Sequence, residues 1–417
     1  MATSIMSPQP VPEALPPNPS GLSILEEVEA AQEHLRSRLA GALAGPPPLA
    51  TALESLPTVP LIDIGPSFSD DKSLRRAVAK QIRDACVTTG FFQISNHGVS
   101  AEAMTGVLSQ AERFFHQLTP EKKDKLHMRH SPLFRGYEPH DYTYVNPDDM
   151  AAGSGGGDDS TTPTTTKATT TPEQSEPETK EGFNWGYEER LDPTGGDGKY
   201  VELDGQSPAS TGQGNIWPDE EDLPGFYDAI RLYYGQVLQL ARHLFRLFAL
   251  SLGLEEEYFD AVMTHPGGIA RLLYYAGQPA ATTQHGEGSK LGLGAHTDYE
   301  CFTLLLSSTN PGLEILFPPS PLTDNRPVWL PCPVRPGTLT VNVADFLMRW
   351  TNGLYKSTVH RVVSKPGTGE RYSVPFFFSI NYDAEVVPLP ESVVGTSKWR
   401  PVKAGEYILE RLRATTA

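Results

Sequence analysis

Cysteine is scarce in this chain of 417 residues, which contains only Cys86, Cys301 and Cys332. The three lie far apart and form no C-x-x-C pair, so the sequence supports neither a thiolate-bound structural zinc nor a disulfide framework. An odd number of cysteines suits a reducing compartment, where disulfides are rare. We therefore expect a cytoplasmic protein with unpaired thiols.

Long apolar runs and an excess of basic residues are also missing. No stretch of roughly 18 or more apolar residues is available to span a bilayer, and the first residues lack the basic start and apolar run of a signal peptide. Acidic residues outnumber basic ones by 51 to 34, which gives a formal net charge of -17. Because such a surface repels phosphate groups, neither nucleic acids nor anionic membranes are expected as partners.

Two segments contain little that a core could bury. Residues 1–20 are rich in proline, and a Gly- and Thr-rich stretch at about 146–180 has the composition of a low-complexity insertion that forms a surface loop. Between residues 21 and 42, apolar residues recur near 3.6-residue spacing, which predicts a helix. We expect this helix to pack on the main body, and a partner-binding helix is the alternative.

The remaining pattern is typical of a mainly β protein with flanking helices. Residues 270–385 consist of short strand-like runs separated by Gly/Pro turns, which favours a β-sandwich or barrel. A largely apolar helix at 222–252 is expected to be buried against a sheet. Further strands are predicted at 58–64 and 90–94, and further helices at 72–88, 101–117 and 403–413.

His296-Thr297-Asp298 carries the most chemical information. Strand residues two apart point to the same face, so His296 and Asp298 can reach one metal ion while Thr297 points away. His360 would supply a third ligand from a distant strand. Two histidines and one carboxylate can hold ferrous iron and leave its opposite face open, but catalytic zinc uses the same set. This motif alone leaves both an oxygenase and a hydrolase open.

Arg371 and Ser373 form a second same-face pair shortly after His360, beyond a predicted turn at 365–369. A guanidinium offers a planar fork to a carboxylate, and a serine hydroxyl adds a donor. The alternative is an arginine paired with a structural acid. Beside the His-x-Asp…His set, the pattern favours a clamp for the far carboxylate of a chelating keto acid, and hence iron as the metal.

Further motifs are distributed between residues 58 and 385. They are Pro60–Asp63, Gly90–Gly98, Phe114-Phe115, Arg135-Gly136-Tyr137, Glu181–Gly186, Arg271–Tyr275, Gly337–Asp345 and Trp350–Gly353. Together with the two same-face pairs, they resemble the iron- and 2-oxoglutarate-dependent dioxygenases of the isopenicillin N synthase-like family, also described as iron/ascorbate-dependent oxidoreductases.

The resemblance implies a fold, a ligand set and a reaction. The fold would be a double-stranded β-helix, or jelly roll. Fe(II) would be bound by His296, Asp298 and His360, and 2-oxoglutarate by Arg371, Ser373 and Tyr275. O2 would be the second co-substrate and ascorbate a reductant. A small molecule would be hydroxylated, desaturated or cyclised while succinate and carbon dioxide are released.

The predicted organisation has five parts. These are an N-terminal extension with one helix (1–57), an N-terminal dioxygenase region with the insertion (58–190), a connecting region with the long helix (191–265), the jelly-roll domain (266–390) and a C-terminal helical tail (391–417). Two other functions stay open: an oxidase of this fold that does not use 2-oxoglutarate, and a metal-free binding protein. The substrate cannot be read from the sequence, although secondary metabolism fits, and a monomer is expected.

Overall fold

The computed structural model describes residues 23–43, 58–140, 142, 178–280, 289–323 and 325–415. None of the helices in these ranges is long and apolar enough to cross a membrane. The helices are numbered in chain order as α1 (Ile24–Leu43), α2 (Lys72–Thr88), α3 (Ala101–Gln117), α4 (Pro120–Lys125), α5 (Pro208–Thr211), α6 (Phe226–Ser251), α7 (Asp345–Trp350), α8 (Glu391–Val394) and α9 (Ala404–Arg413).

The strands are numbered in the same way. They are β1 (Leu61–Asp63), β2 (Phe91–Ser95), β3 (Gly136–Glu138), β4 (Lys180–Trp185), β5 (Gly268–Tyr275), β6 (Lys290–His296), β7 (Phe302–Ser307), β8 (Leu313–Phe317), β9 (Val328–Pro331), β10 (Leu339–Val343), β11 (His360–Ser364), β12 (Arg371–Phe378), β13 (Glu385–Val386) and β14 (Val402–Lys403).

Two sheets form the walls of one cavity. The larger has the strand order β1-β2-β10-β7-β12-β5-β4-β3, and the smaller has the order β6-β11-β8-β9. Side chains of β5, β7 and β12 from one sheet and of β6, β8 and β11 from the other line the same cavity, which therefore lies between the sheets. This is a jelly roll with flanking helices, as expected. Strands of the N-terminal region occupy both edges of the larger sheet, so the regions predicted as 58–190 and 266–390 share that sheet.

Helices α2 and α3 both pack on α6, and all three contact strands of the larger sheet. Each of the first two begins at a side-chain cap, Asp71 accepting from the Ser73 amide at 2.8 Å and Ser100 from the Ala103 amide at 3.1 Å. Helix α6 is buried over most of its circumference, because it lies between the other two helices and the sheet. Its predicted burial is confirmed.

The N-terminal helix packs on the body of the protein. Leu35 and Leu39 lie in a cluster with Leu316 and Val359 of the smaller-sheet region. At its other end, the Glu27 carboxylate accepts two hydrogen bonds from Arg349, both at 3.1 Å. Of the two expectations for this segment, packing on the main body is confirmed, and the helix begins at Ile24.

Most element bounds predicted from the sequence agree with the structure, and the differences have local causes. Strand β1 begins after Pro60, which has no N–H to donate and instead accepts from the Gln93 amide at 2.8 Å. Strand β2 begins after Gly90, whose φ is +72° and where a Cβ would lie 1.9 Å from the Lys356 carbonyl. Lys180, predicted as the end of the insertion, instead opens β4. The rest of the insertion up to 177, like residues 1–20, lies outside the described residues.

Candidate active site

The two histidines of the predicted metal site lie opposite each other on neighbouring strands. His296 ends β6, His360 begins β11, and the two are paired directly in the sheet register. Asp298 follows two residues after β6, and its Oδ1 lies 3.5 Å from His296 Nε2 and 3.6 Å from His360 Nε2. The ligand atoms of all three lie within 4.8 Å of one another. The structure therefore brings together the three residues that the sequence singled out.

Backbone carbonyls orient both imidazole rings. His296 Nδ1 lies 2.8 Å from the Gly294 carbonyl, and His360 Nδ1 lies 3.1 Å from the Thr358 carbonyl. A carbonyl only accepts, so each Nδ1 carries the proton and each Nε2 turns its lone pair toward Asp298. This is the tautomer that a metal ligand requires.

The carboxylate of Asp298 is held by its outer oxygen. Oδ2 accepts from the Asn342 side-chain amide at 2.7 Å and from the Thr303 hydroxyl, which leaves Oδ1 directed at the histidines. Sequence reasoning did not identify these two supporting residues. Asn342 lies inside the matched Gly337–Asp345 motif, so a signal existed, whereas Thr303 had none.

Burial and the neighbouring groups shift the pKa values of His360 and Asp298. All three side chains are buried. Burial, with a contribution from His296, lowers the pKa of His360 to about 4, so the ring is neutral at pH 7. Burial alone would raise the pKa of Asp298, but the histidines and the Asn342 amide outweigh it and hold the pKa below its ordinary value. Two imidazoles and one carboxylate are the donor set that suits Fe(II).

The predicted carboxylate clamp lies where β12 pairs with β5. Arg371 is opposite Tyr275 in the register, and Ser373 is opposite Leu273. The Arg371 guanidinium donates to the Ser373 hydroxyl and to the Ser307 hydroxyl, each at 3.1 Å. Its central carbon lies 5.0 Å from the centre of the Tyr275 ring.

Arg371 is buried, its guanidinium donates to two serine hydroxyls, and it has no acidic partner within ion-pair distance among the described residues. Burial lowers its pKa from the ordinary value. The buried Tyr275 hydroxyl likewise has no hydrogen-bond partner in the described part of the chain. A buried cation without a counter-ion is costly. The alternative of an arginine paired with a structural acid therefore finds no support, and the site fits the carboxylate of a ligand.

The metal triad and the clamp open onto one cavity, which all six predicted site residues line. Leu273, Leu293 and Val362 form a small apolar cluster with Tyr275 between the two groups. Gly292 makes room for this arrangement, because a Cβ there would lie 2.8 Å from the Tyr275 ring. The cavity can thus bind a chelating acid between a metal and an arginine while apolar side chains keep water away.

Other parts of the cavity wall were not predicted. The C-terminal helix α9 and the residues after it contribute Ile408, Leu412 and Thr415, and β3, β4 and β5 contribute Glu138, Asn184 and Arg271. Arg271 could have been found from the sequence, since it alternates with Leu273 and Tyr275 along one strand face. The C-terminal contribution carried no such signal. His285, which the sequence places in a Gly-rich loop and which we did not favour as a substrate contact, lies outside the described residues.

Comparison with known proteins agrees with this geometry. Residues 59–220 match the family model described as the N-terminal region of non-haem dioxygenases in morphine synthesis. Residues 267–380 match that of the 2OG-Fe(II) oxygenase superfamily. The two matches together span more than half of the chain.

Relatives and solved structures are similar over most of their lengths. The 2-oxoglutarate-Fe(II) type oxidoreductase hxnY of Emericella nidulans is 33% identical over 334 residues, which cover 79% of this chain and 82% of that protein. The 2-oxoglutarate-dependent dioxygenase citB of Monascus ruber is 32% identical over 365 residues, 86% of this chain and 95% of that one. A full-length Neurospora crassa protein, solved in complex with alpha-KG and thymine, is 26% identical with a TM-score of 0.64, covering 85% of this chain and 96% of that one.

Proposed function

This chain belongs to the 2OG-Fe(II) oxygenase superfamily. We propose that it oxidises a small-molecule metabolite bound in this cavity while 2-oxoglutarate is converted to succinate and carbon dioxide. The chain is a non-haem Fe(II)- and 2-oxoglutarate-dependent dioxygenase. The roles of individual residues and the nature of the substrate are the proposal. Its main support is that the His-Asp-His group and the unpaired Arg371 line one cavity.

We assign Fe(II) to His296, Asp298 and His360. When bound, the iron supplies the activation of O2 that couples decarboxylation of 2-oxoglutarate to oxidation of the substrate. The protein contributes orientation. The Gly294 and Thr358 carbonyls fix the two Nε2 lone pairs, and Asn342 holds the outer oxygen of the carboxylate. Such supporting contacts typically change metal affinity by about 10- to 100-fold.

We assign the far carboxylate of 2-oxoglutarate to Arg371 and Ser373. Two N–H donors of a planar guanidinium match two carboxylate oxygens, and the serine hydroxyl adds a further donor. The Tyr275 hydroxyl, which has no partner among the described residues, lies on the opposing strand and can donate to the same ligand. Leu273, Leu293 and Val362 exclude water from the space between the clamp and the metal ligands.

The two other functions considered from the sequence are less well supported. An oxidase of this fold without 2-oxoglutarate would use Arg371 for its substrate's own carboxylate, but hxnY and citB are both named for 2-oxoglutarate. A metal-free binding protein would not need two carbonyl-oriented imidazoles beside a carboxylate. The thymine complex of the Neurospora crassa protein supports a small organic molecule as the substrate class. Secondary metabolism remains part of the proposal.

We further propose that the enzyme acts as a cytoplasmic monomer and does not bind nucleic acid. The formal net charge of -17 opposes phosphate backbones, and the three cysteines are free and buried. Sedimentation of the purified protein at several concentrations would test the monomer, and a dimer in that experiment would contradict it.

Oxygen-dependent succinate release tests the function. The purified protein is loaded with Fe(II) without oxygen, mixed with 2-oxoglutarate and a fungal metabolite extract, and then exposed to air. We expect succinate to form only when Fe(II), O2 and 2-oxoglutarate are all present, and mass spectrometry should identify the metabolite that disappears. Absence of iron binding would contradict the proposal. Oxidation of a metabolite without succinate release would favour the oxidase.

A further inference from the structure

A cluster of buried charged side chains forms part of the cavity wall and has no role in binding iron or 2-oxoglutarate. Glu138 accepts from Lys180 at 2.6 Å and from the Arg271 guanidinium. Arg271 Nε donates to the Asn184 amide oxygen at 2.7 Å. Lys180 also lies 3.0 Å from Glu178. Of these side chains, Glu138, Asn184 and Arg271 line the cavity.

The sheet register creates this cluster. Asn184 of β4 is directly opposite Arg271 of β5, while Glu138 of β3 is opposite Gly182 of β4. Gly182 has no side chain between Glu138 and Arg271, and a Cβ there would lie 3.2 Å from Glu138 Oε2 and 3.4 Å from Arg271 Nη2. The glycine therefore allows an ion pair to form across one strand.

A purely structural role is the simplest explanation, but it accounts poorly for the position of the cluster. Buried ion pairs contribute little to stability, and apolar side chains of similar volume often serve as well. Here the charges line a cavity next to apolar residues such as Leu273. Arg271 keeps 15% of its side chain exposed, whereas that of Glu138 is fully buried. Arg271 is thus the member that a ligand can touch, with Glu138 behind it.

The charges of the cluster balance among the residues that the structure describes. Glu138 and Glu178 carry two negative charges, and Lys180 and Arg271 carry two positive ones. Burial by itself lowers the pKa of Lys180, but the two carboxylates outweigh burial and raise the pKa above its ordinary value, so the lysine stays charged. Arg271 consequently presents N–H donors to the cavity with little net positive charge. Such a donor favours a neutral acceptor over an anion, because an anion would be repelled by Glu138.

We propose that Arg271 donates to a carbonyl of the substrate and that Glu138 makes this subsite select uncharged amides or ketones over carboxylates. This inference rests on the proposed function, since it concerns the same cavity. Arg271 is a specificity residue that contacts the substrate. Glu138 and Asn184 are positioning residues, which affect substrate binding through their contacts with Arg271.

Benzamide and benzoate are suitable probes, because they match in size and differ in charge at one group. The full-length protein is loaded with Mn(II) in place of Fe(II) and with saturating 2-oxoglutarate, so that Arg371 is occupied and no turnover occurs. Calorimetric titration should show that benzamide binds more tightly than benzoate, by about tenfold, because the benzoate carboxylate would be repelled by Glu138 behind Arg271.

Glu138→Gln tests the selection directly. It keeps the shape of the side chain and leaves one positive charge in excess, so the preference should reverse in favour of benzoate by roughly tenfold.

Asn184→Leu removes the acceptor for Arg271 Nε without changing the charge, and it should weaken benzamide binding without reversing the preference. Glu255→Gln is the matched control, since that side chain is 87% exposed and distant in sequence, and the preference should stay as in the wild type.

Each outcome is decisive. If the wild-type protein binds benzoate as tightly as benzamide, or does not bind benzamide, the inference is wrong, whether or not the variants fold. An unchanged preference in folded Glu138→Gln protein would also overturn it and leave the cluster a structural one. Failure to bind Mn(II) and 2-oxoglutarate would instead contradict the proposed function, and the calorimeter measures those two steps separately.

Discussion

Arg371 and Arg271 lie in two regions of one cavity, on the neighbouring antiparallel strands β12 and β5, and differ in their partners. Arg371 is surrounded by serine hydroxyls and the Tyr275 ring, with no carboxylate among the described residues in ion-pair range. Arg271 is held by Glu138 and Asn184. Either guanidinium could bind an anion in isolation. From this comparison we expect the charge already beside an arginine, rather than the arginine itself, to determine which ligand it accepts.

Loss of a metal ligand should have the largest effect on turnover, because the ligands bound at Arg371 and at Arg271 can react only when iron is present. Asp298→Ala removes the one carboxylate of the triad, so we expect loss of iron and no detectable succinate release. Iron content and succinate should be measured on the same sample. Asp84→Ala is the matched control, since that side chain is 62% exposed and pairs with Lys80. Retained iron and turnover in Asp298→Ala would refute the assignment.

Separate substitution of the two arginines is the most direct test of the difference between their roles. Arg371→Ala removes a bidentate, charge-assisted contact, and the KM for 2-oxoglutarate should rise about a hundredfold. Arg371→Lys keeps the charge without the planar fork and should give an intermediate value. Arg271→Ala should move the KM for 2-oxoglutarate far less than Arg371→Ala does. Equal effects of the two alanine variants on this constant would contradict the difference in roles.

Removal of the support for Asp298 should have a smaller effect than removal of Asp298 itself. Asn342→Leu deletes the 2.7 Å hydrogen bond to Oδ2 and leaves all three ligands in place. The affinity for Fe(II) should fall by about 10- to 100-fold, the typical cost of losing such a contact, while excess Fe(II) restores turnover. No rescue by excess metal would mean that Asn342 acts in some other way.

Ser307→Ala should give the smallest effect, and it measures how much the Ser307 hydroxyl contributes to holding the Arg371 side chain. It removes one neutral acceptor from Arg371, at a cost of about 1 kcal/mol, so the KM for 2-oxoglutarate should rise roughly fivefold. Ser308→Ala on the neighbouring position is the matched control, because Ser308 Oγ accepts from the Tyr372 backbone amide and does not contact Arg371. A larger rise in the control than in Ser307→Ala would place the support of Arg371 elsewhere.

Much of the site was predictable because its residues are spaced by the two-residue repeat of a strand. His296 and Asp298 share a face, as do Arg371 and Ser373, and the structure brings both pairs to one cavity. The long helix was predicted from its apolar residues, and the predicted helices at 72–88 and 101–117 begin at side-chain caps in the structure. The roles of the site residues stay a prediction until the variants above are measured.

The charged wall was not predictable, because it depends on which strands become neighbours. Glu138 and Arg271 are 133 positions apart, and only the order β5-β4-β3 places them on either side of Gly182. Ile408 and Leu412 reach the cavity from a helix that the sequence places at the far end of the chain. No local periodicity reports such distant pairings.

The sequence by itself predicted the reaction class, through motifs that resemble one enzyme family and through same-face spacing within a strand, a local property that survives in the order of residues. It also predicted which residues would bind a metal and a carboxylate. The tertiary structure alone decided that Arg371 has no counter-ion among the described residues while Arg271 is paired with Glu138. The reason is electrostatic: in a buried cavity, the ligand preference of a charge depends on the charges within a few ångströms, and folding brings these together from distant parts of the chain.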